Sequence, residues 1–246
     1  MNRKTLLALA GLGAFSQCWA VPIVSNVRME QIVGTKDVRI TYDLADNVNT
    51  QLWMDVSVSP KAYVENWGSS TLPVKSVDGD AFRLVAPGRD RTLIWHAGLD
   101  WNGRYTDMAQ AVVRAKVPDF GFCKDRNLAF SWDSCWRRKR DASGGWDNDR
   151  CYLYASYSSG SVRTRVMGPG TISFYWAKSS SYSSIAFMVD GSTVYSLTSS
   201  TATSYSPISY TIKTSGLHEI RWYFTSSYGS SLSYGYLDCI EWKEGL

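Results

Sequence analysis

The sequence is poor in the residues that carry most enzyme chemistry. Its only histidines are His96 and His218, and both lie in predicted strands. It has no G-x-S-x-G, H-E-x-x-H or G-x-x-x-x-G-K motif, and no G-x-G-x-x-G that opens a helix. We interpret His218 as a strand-face residue rather than a base. A carboxylate pair for glycoside cleavage needs only spatial proximity, so that alternative stays open. We expect a protein that is not an enzyme.

The chain also has little excess charge. Its 26 Lys and Arg against 22 Asp and Glu give a net charge of +4. Two of the positive charges, Arg3 and Lys4, lie in the predicted leader described next. The remaining excess is too small to indicate binding to nucleic acid.

Long apolar runs are confined to the first 20 residues. Charged Arg3 and Lys4 precede an apolar run from Thr5 to Phe15, and the segment ends at Ala20. This pattern is typical of a secretory signal peptide over residues 1–20, and the run is too short to span a bilayer. A lipoprotein signal is the other possibility, but the residues before Cys18 fit it poorly. We expect a secreted, periplasmic or cell-surface protein with no membrane span.

Cysteine is scarce, and its spacing excludes a compact metal site. Without Cys18, four cysteines remain. An even number in an exported protein predicts two disulfides. A zinc site would need close pairs such as C-x-x-C, and the sequence has none. The pairing stays open among three connectivities. The predicted disulfide cysteines are Cys123, Cys135, Cys151 and Cys239.

Residues 21–118 show the two-residue alternation of half-buried strands and no helical stripe. Apolar residues alternate with polar ones over 38–44 and 52–58, and turn residues such as Pro87-Gly88 separate the runs. Further strands are predicted near 24–32, 82–86, 91–96 and 109–117. About six short strands in this length predict an immunoglobulin- or fibronectin-like β-sandwich.

One segment of this half carries a specific pattern. From Pro87 to Trp101 the chain follows P-G-x-x-x-x-[IL]-x-W-x-A-G-x-D-W, with Trp95 and Asp100 among the matching residues. The segment resembles a sandwich module of large secreted bacterial proteins, where it often precedes a formylglycine-generating type of domain. No such domain follows here. The resemblance therefore implies a fold and an extracellular setting, without an activity.

Residues 119–246 predict a second β domain. After a segment rich in Cys, Trp and Arg, eight strands are expected near 151–156, 162–167, 171–178, 185–189, 193–198, 208–213, 217–225 and 234–243. Asp190-Gly191 predicts a tight hairpin between two of them. This number and spacing of strands is typical of a jelly-roll β-sandwich, so the expected fold class is all-β throughout.

This half resembles the MAM-like and concanavalin-like jelly rolls over about residues 125–245. The resemblance rests on Cys151-Tyr-Leu-Tyr, on G-P-G-T-I-S-F-Y-W from Gly168 to Trp176, on F-M-V-D-G ending at Gly191, and on G-Y-L-D-C-I-E-W ending at Trp242. The cysteine spacing departs from the metazoan MAM pattern. The adhesion and dimerisation roles of those domains therefore do not carry over.

The aromatic content, with 11 Trp and 15 Tyr, indicates a binding surface. Trp136 and Trp146 lie in predicted loops beside Arg137, Arg138 and Asp147. Aromatic rings stack on the apolar faces of sugars, arginine clamps acidic groups, and a carboxylate orients hydroxyls. The alternatives are that both tryptophans plug the end of the sandwich and that the basic run is a solvated loop.

A calcium site is a further prediction. Asp147 and Asp149 offer hard oxygen ligands in one loop. Similar jelly-roll modules often take a calcium ligand from the last strand, where Asp238 lies in this sequence. Asp and Asn are also common in turns for backbone reasons alone.

Taken together, these patterns predict an exported, non-catalytic binding protein whose jelly roll recognises carbohydrate. The first alternative is a structural or adhesion module that contacts proteins at the cell surface. The second is a glycan-degrading enzyme. A flat aromatic patch would favour protein contact, whereas a groove would favour a sugar.

Overall fold

The computed structural model describes residues 21–60, 71–104, 109–117, 128–140, 146, 151–198, 204–226 and 233–245. Fifteen strands and one helix of four residues, α1 (Ala97–Asp100), account for its regular structure. The predicted all-β sandwich class is confirmed. No helix in these ranges is long and apolar enough to cross a membrane.

The first half forms two small sheets. Its strands are β1 (Ile23–Gln31), β2 (Val38–Ala45), β3 (Leu52–Pro60), β4 (Val77–Gly79), β5 (Leu84–Val85), β6 (Gly88–Trp95) and β7 (Ala109–Lys116). One sheet has the order β1-β2-β6-β4 and the other has the order β5-β3-β7. Alternating apolar residues of both sheets, such as Ile40, Tyr42, Val56 and Val58, are buried in the core between them.

The W-x-A-G-x-D-W segment proves to be structural. Its Asp100 carboxylate accepts hydrogen bonds from the backbone N–H groups of Lys75 (2.7 Å) and Ser76 (2.9 Å), and from the indole of Trp95 (2.9 Å). The Ser76 hydroxyl donates to the same carboxylate. Burial alone would raise the pKa of Asp100, but these hydrogen bonds outweigh it and hold the pKa below its usual value. This pattern thus ties residues 75–76 to the end of β6.

The second half forms one hydrogen-bonded sheet of eight strands. They are β8 (Ser131–Trp132), β9 (Trp136–Arg140), β10 (Cys151–Ser156), β11 (Gly160–Lys178), β12 (Ser183–Val189), β13 (Ser192–Leu197), β14 (Ser206–Ser226) and β15 (Tyr234–Glu244). The path runs β13-β12-β14-β11-β15-β10-β9, and β8 joins β11. The expected hairpin at Asp190-Gly191 is present, with positive φ at both residues.

Two long strands carry this path through both layers of a sandwich. The 160–168 part of β11 pairs with β8 and with 216–224 of β14, next to β12. The 170–178 part pairs with 206–212 of β14 on one side and with β15 on the other. We call one sheet the β12 layer; it consists of β13, β12, β8, residues 160–168 of β11 and residues 216–224 of β14. The other sheet is the β15 layer; it consists of β15, β10, β9, residues 170–178 of β11 and residues 206–212 of β14.

Aromatic rings fill the space between these layers. Phe174 of the β15 layer lies 4.9 Å from the ring of Phe187 and 5.3 Å from that of Trp222, both in the β12 layer. All three side chains are buried. Four other strand tryptophans are also buried: Trp53, Trp95, Trp176 and Trp242. Burial of such rings is the largest source of stability in a sandwich of this size.

The two halves touch through specific polar contacts. The Leu217 N–H donates to the Lys75 carbonyl at 2.9 Å, and Arg83 pairs with Glu244 at 2.9 Å. Each strand pairing in the described ranges joins strands of the same half. The division at residue 118 stays a prediction, because residues 118–127 lie outside those ranges.

Some details of both halves differ from the expectation. The pairs of strands expected at 162–167 and 171–178, and at 208–213 and 217–225, are each one continuous strand, β11 and β14. The basic run expected as a loop is the strand β9. In the first half, His96 lies just after β6, at the start of α1, and not in a strand.

Lys178, at the end of β11, is fully buried. Its ammonium donates to the backbone carbonyls of Ser180 (3.0 Å), Ser183 (2.8 Å) and Thr198 (3.2 Å). Burial lowers the pKa of this lysine. The three bonds use all the donors of the ammonium group, so Lys178 holds the turn after β11 to the end of β13.

Replacing Lys178 by Met should therefore destabilise the protein strongly. Met has similar length but cannot donate to the three carbonyls, and the one of buried Ser183 is then left without its donor. An orphaned buried acceptor costs about 1–3 kcal/mol, so we expect a loss of about that size in the free energy of unfolding, measured in urea. Lys213→Met, at an exposed position on β14, is the matched control. Equal urea midpoints for the two variants would contradict this role.

His96 lies between two carboxylates of the first half. Its Nδ1 is 3.0 Å from Asp37 Oδ1, and its Nε2 is 2.9 Å from Asp78 Oδ2. The hydrogen bond to Asp78 is the largest cause of a pKa raised above the usual 6.5, and the bond to Asp37 adds to it, although burial opposes both. Only the protonated ring donates to both carboxylates.

The contribution of His96 to stability should depend on pH. Because its folded pKa is raised, the contribution is fully present below pH 6.5 and is lost as pH rises through the folded pKa. We expect the difference in Tm between wild type and His96→Gln to shrink between about pH 5.5 and about pH 8.5. A difference that does not change with pH would show that the ring acts by packing alone.

Candidate functional site

Tyrosines cover the outer face of the β15 layer. Neighbouring residues of a strand point to opposite sides of a sheet. Leu153 of β10 and Leu237 of β15 point inward and are fully buried. Their neighbours therefore point outward on the other side, together with Tyr175 of β11. We call this outer surface the tyrosine face, and its strand residues are Tyr152, Tyr154, Tyr175, Tyr234 and Tyr236.

The rings of this face form a continuous band together with Tyr205 and Trp146. Tyr154 lies 6.4 Å from Tyr234, which lies 6.3 Å from Tyr236, measured between ring centroids. Tyr236 is 6.0 Å from Tyr152 and 6.3 Å from Tyr205. Tyr205 is in turn 6.4 Å from Trp146. The band thus crosses the layer from β10 to β11.

Trp146 forms the most accessible end of the band. Its ring stacks on Tyr175, with the centroids 4.5 Å apart and the planes 17° from parallel. The side chain nevertheless remains 46% exposed. Tyr175 therefore covers one face of an indole that is still about half exposed.

The Trp146 backbone is hydrogen-bonded to Asp238 of β15. A bulge in β15 opposite Tyr175, where Cys239 has a positive φ, interrupts the regular register. The buried carboxylate of Asp238 accepts hydrogen bonds from the N–H of Cys239 (2.8 Å) and from the N–H of Trp146 (2.5 Å). This anchor holds the tryptophan against the sheet.

A groove of about 470 Å³ opens beside the stacked pair. Its polar lining comes from Ser173, Ser209 and Glu241, which the strand register places side by side on three adjacent strands. The Ser173 hydroxyl donates to Glu241 at 3.4 Å. The groove therefore combines an aromatic wall with a row of hydroxyl and carboxylate groups.

Burial raises the pKa of two phenols of the band, those of Tyr205 and Tyr236. It is the main cause of a raised pKa at Tyr205, and the charge of Asp238 adds to it. The pKa of Tyr236 is raised for the same main reason. A neutral phenol both donates and accepts hydrogen bonds, so these hydroxyls are suited to neutral polar partners.

The prediction that Trp136 stacks on a ligand is wrong. The ring is 1% exposed, packs edge-on against Phe224 at 6.2 Å, and donates its indole N–H to the Gly160 carbonyl at 3.0 Å. Trp136 is the first residue of β9, and alternation turns it into the core. It is the plug that the sequence left as the alternative.

The prediction for Arg137 and Arg138 needs correction, because the two residues face opposite sides of β9. Register pairs Arg137 with Tyr154 and Lys139 with Tyr152, whereas Arg138 lies opposite the inward residue Leu153. Arg137 and Lys139 therefore extend the tyrosine face at the exposed edge of the sheet. Arg138 does not share that face.

The calcium prediction is not tested. Asp147 and Asp149 lie outside the described residues, and Asp238 uses its two oxygens on backbone N–H groups. Within the described ranges, no three His, Cys, Asp or Glu side chains come together as a metal site.

The disulfide prediction also stays open. No disulfide joins Cys135 to Cys239, the two cysteines whose side chains are described, and both are buried. Burial is the main cause of a raised pKa at the Cys135 thiol, and Asp133 adds to it. Cys123 and the side chain of Cys151 lie outside the described residues.

A cavity of about 890 Å³ lies between the halves. Its Asp55 is 3.5 Å from both Lys116 and Arg165. Its Asp190 is 2.6 Å from His218 and accepts the Glu219 N–H. Both carboxylates therefore have partners within the protein.

Sequence reasoning missed the tyrosines as functional residues. The signal was the repeated Tyr-x-Tyr spacing in β10 and β15, which places both rings of each pair on one face of a strand. Tyr175 and Tyr205 have no such signal, because their contacts with Trp146 join distant parts of the chain.

The chain matches no family model and no curated protein. Similar solved structures include TmCBM61 in complex with β-1,4-galactotriose, at a TM-score of 0.35 and 15% identity over 52% of this chain and 95% of that one. The carbohydrate-binding module CBM36 with calcium and xylotriose gives 0.31 and 17% over 47% and 99%. The secreted serine protease VesC from Vibrio cholerae gives 0.36 and 10% over 88% and 50%. At this level of similarity, none of their ligands or activities transfers to this chain.

Proposed function

We propose that this chain is an exported, non-catalytic protein that binds carbohydrate on the tyrosine face. The observation that carries the proposal is the half-exposed Trp146 ring, stacked flat on Tyr175 beside a polar groove. The predicted site on the jelly roll is kept, with Trp146 as its platform and without Trp136.

The chemistry of the groove fits a sugar ring. The apolar face of a pyranose stacks on an indole, and its hydroxyls then need donors and acceptors at the ring edge. Ser173, Ser209 and Glu241 supply both kinds of group within the same groove. Asp147, next in sequence to the platform, keeps its proposed role of orienting hydroxyls or holding calcium.

A fixed platform also lowers the cost of binding. The Trp146 backbone is anchored to Asp238 and its ring is held by Tyr175, so little side-chain freedom remains to be lost. Rigid aromatic groups of this kind bind with a smaller entropy cost than mobile ones.

The alternative of a protein-contact module is less favoured by the shape of the site. A flat aromatic patch would suit a protein partner, but the exposed indole here borders a groove of about 470 Å³. Tyr152 is buried and the other tyrosines of the band are partly exposed, which leaves Trp146 as the main exposed apolar group of the described part of this face.

Trp146→Ala should abolish carbohydrate binding without unfolding the protein. Loss of the stacking surface is expected to weaken affinity at least about tenfold, which is about 1.4 kcal/mol. The measurement is affinity electrophoresis of the purified protein in gels that contain xylan, galactan or hydroxyethyl cellulose, with Tm recorded for each variant.

Two variants serve as controls for this experiment. Tyr195→Ala removes a 40% exposed ring from β13 in the β12 layer and should leave binding unchanged. Trp136→Ala should lower Tm sharply, because it empties a buried site. If Trp146→Ala binds as wild type does, or if wild type binds none of a broad glycan panel, the proposal is refuted.

Export makes a separate prediction. The proposed signal peptide over residues 1–20 implies cleavage after Ala20. Protein recovered from the periplasm or medium of an expressing bacterium should start at Val21-Pro22-Ile23 in amino-terminal sequencing. An exported protein that starts at Cys18 and carries lipid mass would instead show a lipoprotein signal.

A further inference from the structure

Positive charge lies at one end of the tyrosine face. Arg137 and Lys139 point outward from β9, directly beside Tyr154 and Tyr152. Both residues are exposed, and β9 is the last strand of the path in the described part of the chain. The aromatic band therefore runs into a pair of cations.

The charge of this edge reaches the middle of the band. Lys139 is close enough to Tyr236 to oppose, by its positive charge, the rise in the pKa of that phenol. Tyr236 is in contact with Tyr152, Tyr205 and Tyr234. A negatively charged ligand that lies along these rings would therefore be attracted by the positive charge of β9.

Within the described part of the chain, the two carboxylates of this face lie at its other end. Asp238 is 1% exposed and accepts two backbone N–H groups. Glu241 lies 3.2 Å from the Lys243 ammonium. Both belong to β15 near the Trp146 groove, whereas Arg137 and Lys139 lie beside Tyr154 and Tyr152.

We propose that the ligand of the tyrosine face is an anionic polysaccharide, which lies along the aromatic band from the Trp146 groove to Arg137 and Lys139. This rests on the proposed function and specifies its substrate class. The planar guanidinium of Arg137 binds a carboxylate or a sulfate through two parallel hydrogen bonds, and Lys139 adds a point charge. Uronate and sulfate ester groups share this chemistry.

A structural explanation of the cations exists and can be separated from this one. Charged side chains on an edge strand prevent pairing with other sheets, and every cation of β9 would serve that purpose. Arg138 lies on the same strand and is equally exposed, but it faces away from the tyrosines. It is therefore the matched control.

The test compares neutral and anionic polymers of the same backbone. Binding is measured by surface plasmon resonance on hydroxyethyl cellulose against carboxymethyl cellulose, and on dextran against dextran sulfate, over a series of salt concentrations. Wild type should bind the anionic member of at least one pair about tenfold or more tightly, and salt should reduce that preference. The two pairs distinguish carboxylate from sulfate.

Three variants test which residues produce the preference for the anionic polymer. Arg137→Gln with Lys139→Gln should reduce binding to the anionic polymer to the level of the neutral one, with the Tm of wild type. Arg138→Gln should keep it, and Trp146→Ala should lose binding to both polymers. Equal loss of the preference in Arg138→Gln and in the double variant would overturn the assignment to the tyrosine face.

Other outcomes separate this inference from the proposed function. Equal binding of wild type to both members of each pair, with loss in Trp146→Ala, would overturn the anionic class and leave carbohydrate binding intact. Absence of binding to neutral and anionic polymers alike would overturn both. Full competition by a single-stranded oligothymidylate would show that the edge binds any polyanion and would also overturn the inference.

Discussion

The ladder between β11 and β14 is the interaction on which the second half depends. It runs from Gly160 opposite Phe224 to Trp176 opposite Ser206, with one irregularity near Gly168. Because both strands pass through the two layers, the same ladder sets the position of β12 on one layer and of β15 on the other. A change of register here would displace the aromatic core and the tyrosine face together.

Because side chains alternate along these strands, the core and the tyrosine face lie on the two sides of the same segments. In β11, Phe174 packs against Phe187 and Trp222 inside, while Tyr175, the next residue, stacks on Trp146 outside. The rigidity of the site is therefore a consequence of the packing of the core. A dense interior leaves few alternative positions for the strand that carries the ring.

Much of the fold could be predicted from local pattern, and the misses have physical causes. Except for β4, the strands of the first half agree with the expectation, as does the Asp190-Gly191 hairpin, because alternation and turn chemistry are local properties. The breaks expected within β11 and β14 were wrong, since Gly168-Pro169-Gly170 and Thr214–Gly216 act as bends within continuous strands. The strand at β9 was missed because a run of four basic residues has no apolar alternation.

The candidate site was predictable only in part, for the same reason. The sequence by itself determined that the protein is all-β and that aromatic and basic residues adjoin near residues 136–146. Those properties depend on composition and two-residue periodicity. Only the tertiary structure decided that Trp136 is buried, that Arg137 and Arg138 part to opposite faces, and that Trp146 meets Tyr175 and Tyr205. Such contacts depend on which strands become neighbours, and neighbours in a sheet are distant in sequence.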